Sequence, residues 1–365
     1  MDTESAVIQQ LGSVSLSERA APGLPVLKRQ DDIVRMHLCA QDETFRTLND
    51  LQEKGWRSAQ ADEYFKLQRE RSDNANEKIF YKLHKHIGRE MDKTGAFSVI
   101  HPGKKGVQAL NLCMAPGAYT WKILQVNRQA HISGISLPTE LGGRPMVLPY
   151  GDADDRVEVL FADITLFSTE FGVPLSQVPP QHPEAAKFSS QRPFLGTTFD
   201  IVLCDGNVLR THERAEWREL HEPNRLTKAQ LILGMQRIRK GGTFIILLHK
   251  SERWDNVQIL RSFEGFSKIK LFKPASIFGK RSSFYLVAKK VDPTHPDAIS
   301  AVEKWKADWK KATFPAEDGD TKPDIDDTDD DDVVRSALAD FGPRLIELGR
   351  PIWAIQGDAL SRAAF

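Results

Sequence analysis

Two stretches of this chain carry residues in an arrangement that could do chemistry. The first is Asn111-Leu-Cys-Met-Ala115-Pro116-Gly117-Ala118-Tyr119, an apolar strand that closes in a tight turn of small residues and opens a helix. At such a turn backbone amides can come close to a ligand. The turn lacks the Gly-x-Gly-x-x-Gly spacing of dinucleotide sites, which removes the usual support for a nicotinamide enzyme. The second is Ile-Val-Leu-Cys204-Asp205-Gly206-Asn207. It sets the Asp205 carboxylate at the carboxyl end of an apolar strand, the edge at which open α/β sheets bind ligands. A carboxylate there can face a ligand; an Asp-Gly pair can also be a turn whose side chain only caps the next helix.

These residues need a sheet to hold them. From Val107 onward short apolar runs alternate with amphipathic stretches: VQALNLCM, PGAYTWKILQ, AHISGISL and VEVLFADI, then FDIVLCD, a helical stretch from about Arg214 to Arg239, and GTFIILL. The alternation predicts an α/β fold, with five parallel strands and helices on both faces. FSKIKLF and SSFYLVAKK are joined by KPASIFGKR, too short for a crossover helix, so they are expected to pair antiparallel at the sheet edge. The Pro, Ser and Gln rich stretch between Thr165 and Phe199 reads as a peripheral inserted loop. Phe263, Phe266, Phe272, Phe278, Phe284 and Tyr285 read as core, with base stacking as the alternative.

Residues 1–75 are expected to form a helical N-terminal extension, with Phe45, Leu48, Leu51, Trp56, Tyr64 and Leu67 at helical spacing. After a central domain over 76–291, residues 292–365 carry a Trp-containing helix at Ala301 to Ala312 and a second from Val333 to about Leu348. An acidic linker over 317–332 separates them.

At 365 residues and 40% hydrophobic content the chain has room for about two domains and a substantial core, which excludes global disorder. Its 50 Lys and Arg balance its 50 Asp and Glu, but the charges are segregated. Glu317 to Asp332 holds ten acids and one lysine, whereas Arg237 to Lys290 holds thirteen cations and three acids. If those cations share a surface they suit a polyanion such as RNA; otherwise they are a solvated rim. Cys39, Cys113 and Cys204 have neither metal-type nor disulfide-type spacing, and no apolar run approaches the roughly 20 residues of a membrane span. The expectation is an intracellular protein, cytoplasmic or nuclear, in a reducing compartment, with no membrane association and no metal.

In order along the chain stand Phe80-Tyr-Lys82-Leu83, the Met-Ala-Pro-Gly-Ala turn, Phe-Ala-Asp163-Ile164-Thr, Leu-Cys-Asp205-Gly, Arg-Lys-Gly-Gly-Thr-Phe, Lys273-Pro274 and Arg281-Ser-Ser-Phe-Tyr-Leu-Val. From about Ile79 to Lys290 this order resembles the FtsJ-like family of S-adenosylmethionine-dependent RNA 2′-O-methyltransferases. The resemblance implies a Rossmann-like methyltransferase sheet, S-adenosylmethionine as cofactor and RNA as partner. It implies that the turn Pro116-Gly117-Ala118-Tyr119 holds the methionine part of the cofactor, with Ala115 and Asn111 also at the cofactor and Asn111 standing where the family often has Asp. Ser136 would stand where an acid often meets the ribose hydroxyls, and Asp163 with Ile164 would meet the adenine. Asp163 beside Thr165 can instead be a helix cap.

Family members use a Lys-Asp-Lys-Glu tetrad on the ribose hydroxyl. Lys82 matches its first lysine and Asp205 its aspartate, but the second lysine's register falls on Leu247 and the glutamate's on Ser283. Methyl transfer from a sulfonium needs no acid for the leaving group, yet a ribose hydroxyl profits from a base, commonly by about 10² to 10⁴ in rate. His249 and Lys250 are the candidate substitutes. A lysine can act so only with its pKa well below about 10.4. Lys250 falls on the opposite strand face unless a bulge re-aims it, whereas His249 keeps the parity of Leu247. The leading expectation is methyl transfer to an RNA 2′-hydroxyl. A degenerate scaffold that binds cofactor or RNA, and methylation of a small molecule or protein, are the alternatives.

Overall fold

The computed structural model describes residues 29–73, 76–99, 106–148, 154–209, 211–314 and 330–363. Most of the acidic run, and the first part of the N-terminal extension, lie outside the described residues. Four helices come first: α1 (Arg29–Gln41), α2 (Glu43–Trp56), α3 (Ala59–Asp73) and α4 (Glu77–Asp92). Asp42 and Asn76 accept from the amides of Phe45 and Ile79 and so cap α2 and α4. A seven-stranded sheet follows, in the order β3-β2-β1-β4-β5-β7-β6. Its strands are β1 (Gln108–Leu112), β2 (His131–Ser136), β3 (Val157–Phe161), β4 (Phe199–Cys204), β5 (Ile238–His249), β6 (Lys268–Phe272) and β7 (Ser283–Val291). The first five are parallel; β7 enters between β5 and β6 and is antiparallel to both. The expected α/β sheet with an antiparallel edge hairpin is thus observed.

Strand alternation divides the core. Ile245 and Leu247 of β5, with Tyr285 and Val287 of β7, face α4 and α5 (Ala118–Val126), where Phe80, Leu83, Ile87, Met91 and Ile123 meet them. Phe244, Ile246 and Leu248, with Phe284, Leu286 and Ala288, face the other way. That side holds α6 (Glu222–Arg237), α7 (Trp254–Phe266), α9 (Pro296–Thr313) and α10 (Asp331–Ser361), with the four-residue α8 (Ala275–Phe278) between β6 and β7. The aromatic residues from Phe263 to Tyr285 are core, all buried but the half-buried Phe272.

Three sequence expectations need correcting. The stretch from Thr165 to Phe199 is not peripheral: Phe167, Phe171, Val173, Val178 and Phe188 are buried in the main core, and Phe171 packs edge-on to Trp309. Its Pro and Ser content set the backbone, whereas its spaced aromatics decide its burial. The helix expected from Arg214 begins only at Glu222, where Pro223 occupies the first turn. The last helix runs past Leu348 to Ser361, because Ile352 and Trp353 continue its buried stripe through Pro343 and Pro351.

The N- and C-terminal helices close on each other: Phe45 of α2 meets Trp353 of α10 edge-on, and Trp353 Nε1 donates to Ser251 Oγ over 2.8 Å. Helix α7 has no cap from its own N-terminal residue Arg253; its Trp254 amide donates instead to Asp31 Oδ1 of α1 over 2.7 Å. Asp31→Ala should therefore cost about 1–2 kcal/mol, as a lost N-cap does, seen as a lower denaturation midpoint with an unchanged denaturant slope.

Candidate active site

The sheet order reverses between β1 and β4, and the carboxyl ends of those strands open a crevice there. Its walls include Phe80 and His84 from α4, Cys113 and Ala115 after β1, Ser136 and Leu137 at the end of β2, and Asp163, Ile164 and Thr165 after β3. Asp205, Asn207 and Leu209 after β4, then His212, and Glu222 and Leu226 of α6, complete it. About 820 Å³ of empty space lies within it, the open mouth and the solvent there included. Five residues read from the sequence therefore meet in one crevice: Ala115, Ser136, Asp163, Ile164 and Asp205.

Asp205 is the electrostatic centre. Tyr285 donates to its Oδ1 over 2.7 Å, and the Tyr119 and Tyr285 hydroxyls are 2.7 Å apart, so a buried chain of hydroxyls ends on the carboxylate. His84 Nε2 lies 3.7 Å from Oδ2. Burial pushes the Asp205 carboxyl up to about 7 against the opposing pull of the Tyr285 hydrogen bond. Burial, then the Arg144 charge, press His84 down to about 4, which leaves it neutral at pH 7. Both tyrosines are raised well above the ordinary phenol range by burial and then by the Asp205 charge, so they remain donors.

Asp163 closes the other end. Its Oδ1 accepts from the amide and hydroxyl of Thr165, capping a 3-10 turn, and its Oδ2 accepts from Arg218 over 2.8 Å. Burial pushes this carboxyl up, but Arg218 and Thr165 outweigh that and hold it below its usual range. Arg218 also forks onto Glu222, which Arg225 meets at 2.7 Å, and Arg225 reaches Thr313 of α9 at 3.0 Å. The capping alternative for Asp163 is what the geometry contains, in a residue that also lines the crevice.

Other sequence candidates stand elsewhere. Lys82 is exposed on α4 and not in the crevice wall, because residues two apart on a helix point to nearly opposite sides. His84, overlooked in the sequence, is there instead; its position four residues after Phe80 on the apolar face of α4 was the available signal. His249 bonds Ser283 through Nδ1 at 2.9 Å, and Lys250 lines a different cleft. Asn111 is buried against Thr120, and Tyr119 lies beneath the crevice in the hydroxyl chain. Neither these two nor Pro116, Gly117 and Ala118 line the crevice. Gly117 has φ +99°, and a Cβ built there would fall 2.9 Å from Leu148, so the segment around Met146 and Leu148 covers the turn. Val147 donates to the Pro116 carbonyl over 2.9 Å and fastens that cover.

The thirteen cations of 237–290 do not share one surface. Arg237, Lys273 and Arg281 are buried, and Arg237, Arg239, Lys240 and Arg261 each pair with an acid.

A carboxyl raised from 3.8 to about 7 on folding opposes folding once it ionises. The stability present below pH 4 is lost as pH rises through 7, by roughly 4 kcal/mol in all. Asp205→Asn should therefore raise the melting temperature by several degrees at pH 8 and by less at pH 5, read by calorimetric scans at both.

Compared with known families, residues 79–291 match FtsJ-like methyltransferase. No curated protein matches the chain. Among solved structures, human methyltransferase-like protein 13 in complex with SAH is 13% identical, over 66% of this chain and 98% of that one, at a TM-score of 0.36. An rRNA methylase from Streptococcus thermophilus is 9% identical, over 56% and 97%, at 0.33. An O-methyltransferase family protein from Burkholderia thailandensis is 12% identical, over 77% and 76%, at 0.33. The family match spans more than half of the chain and takes in the sheet, its crevice and the antiparallel edge; the chain belongs to the FtsJ-like methyltransferase family.

Proposed function

We infer that the protein is an S-adenosylmethionine-dependent methyltransferase acting on a ribose 2′-hydroxyl of RNA. The observation that carries the reading is Asp205: a carboxylate with its pKa near 7, in the wall of a crevice shared with Ala115, Ser136, Asp163 and Ile164, in a chain of the FtsJ-like family. S-adenosylmethionine supplies, when bound, an electrophilic methyl on a cationic sulfur.

The residues present fit that group. Ser136 would take the ribose hydroxyls, and Asp163 with Ile164 the adenine end. Asn207 of the crevice wall has its Nδ2 buried with no hydrogen-bond partner among the described residues, a donor open to an acceptor. The turn at Ala115-Pro116-Gly117 would take the methionine end once the flexible side chains of Met146 and Leu148 swing from Gly117.

In this reading Asp205 does two things. Its negative charge lies beside the place of a cation, and its Oδ2 is free of the Tyr285 hydrogen bond to receive the acceptor's proton. Tyr285 fixes the carboxylate's rotamer and lowers its basicity, so that it is ionised in half or more of the molecules from pH 7 upward. The packed walls exclude water and orient the nucleophile, which for an in-line displacement is the larger share of the work. A second reading, a family member that binds cofactor or RNA without turnover, is favoured by Leu247 and Ser283 at the tetrad's two vacant registers and by the exposure of Lys82.

Calorimetry with S-adenosylmethionine should show a 1:1 complex; no heat at millimolar ligand would remove the methyl-transfer reading. With radiolabelled cofactor and total RNA, Asp205→Ala should lose about 10² to 10⁴ in rate, whereas label absent from wild type as well would favour the second reading. The rate should rise with pH through about 7, and Tyr285→Phe, which deletes an interaction that lowers the Asp205 pKa, should move that limb to higher pH.

A further inference from the structure

A second cleft opens where α2, α3 and α10 lean on the carboxyl end of β5 and the start of β7. It encloses about 850 Å³, mouth included, and its wall holds Trp56, Phe65 and Arg69 from the N-terminal helices with Lys250 and Lys280 from the catalytic sheet side. Trp56 is 51% exposed although it is the largest apolar side chain of α2. Against those three cations the wall sets one acid, Asp62.

Lys250 reaches this cleft by an unusual backbone. Its φ is +60°, a left-handed conformation that a residue with a Cβ rarely adopts. Three contacts impose it: the Lys250 amide donates to the Ser282 carbonyl over 3.0 Å, and Asn256 Nδ2 donates to the carbonyls of His249 and Lys250 over 2.6 and 2.9 Å. The bend breaks the strand's alternation and brings the ammonium group to 5.9 Å from the Trp56 ring. A glycine would hold that backbone without penalty, whereas the lysine holds it only because these contacts impose it.

We propose that this cleft is a nucleotide subsite of the RNA acceptor strand, where Trp56 stacks a base and Lys250, Lys280 and Arg69 meet the adjoining phosphates. An aromatic face flanked by cations is the arrangement that single-stranded nucleic acid selects. Position supports it: Ser282 lines the cleft and Tyr285, three residues on, donates to Asp205, a separation of about 10 Å along the strand at ~3.4 Å per residue. Both clefts therefore open at the same end of the sheet, near the start of β7, where a strand whose ribose lies at Asp205 would reach the second cleft with another of its nucleotides. The assignment rests on the RNA reading above and adds to it the element outside the family-matching region that would grip the strand.

The test is fluorescence anisotropy of the full chain with a labelled 12-nucleotide RNA across a salt series, with calorimetry of S-adenosylmethionine binding and thermal scans alongside. Lys250→Gly should melt no lower than wild type, because the strain is relieved, and should bind the RNA about tenfold more weakly, with the salt slope reduced by ~0.7 for one lost phosphate contact. Trp56→Ala should weaken RNA to a similar degree, Trp56→Phe should restore most of it, and cofactor binding should be unchanged in all three. Should Trp56→Ala fail to fold, Lys250→Gln supplies the same comparison. RNA affinity and salt slope unchanged in folded Lys250→Gly and Lys250→Gln overturn the subsite alone. A wild-type chain that binds no RNA overturns the subsite together with the RNA reading.

Discussion

A carboxylate withdrawn from water is the constraint around which this structure is arranged. Asp205 ends the most buried strand of the sheet, and in protein surroundings an ionised carboxyl with few donors is costly. Among the described residues no lysine or arginine pairs with it. The molecule gives it one strong donor, Tyr285, backed by Tyr119 and faced by a neutral histidine. The result is a group balanced between its two protonation states near neutrality, which is the condition a proton acceptor needs. The same bonds tie β4 to β7 and α5, so that the antiparallel edge and the parallel sheet meet at the site.

A second buried network, of opposite character, frames the far wall. Asp163, Glu222 and Glu184 stand against Arg218 and Arg225, with Lys187 also on Glu184, and nearly every guanidinium donor is used. Breaking such a set by removing one member typically costs about 3–5 kcal/mol, because the remaining charges stay buried. Here the carboxylate is held ionised and rigid. The two ends of the crevice thus treat the same functional group in contrasting ways, one left titratable and one fixed.

Much of this was legible in the sequence, for identifiable reasons. Strands read well because each is a short apolar run between breakers, and Asp205 read well because it follows such a run directly. Lys82 matches in linear spacing but stands exposed outside the crevice wall, because a helix turns about 100° per residue and the phase set by Phe80, Leu83 and Ile87 brings His84 there instead. Tyr285 reads as core and is core, but a buried phenol must place its hydroxyl somewhere, and its destination across 80 residues of chain has no local signature. Lys250 carried no signal in residue type; its bend is imposed by Asn256 and Ser282. The long stretch before β4 shows the limit of composition, since its prolines announce irregular backbone and only its phenylalanines tell that the backbone is covered.

The clasp of α1 and α2 against α10 bears on how the chain is made. Asp31 waits for Trp254, Phe45 for Trp353 and Arg29 for Asp331, across 223, 308 and 302 positions. The helices made earlier therefore find their partners among residues made some 220 to 310 positions later. Until then their apolar faces, Val34, Leu38, Phe45 and Leu48 among them, stay uncovered in the nascent polypeptide, and at ordinary elongation speeds of about 5–20 residues per second that interval lasts tens of seconds. Such a topology makes the N-terminal arm the segment whose burial waits longest on the rest of the chain.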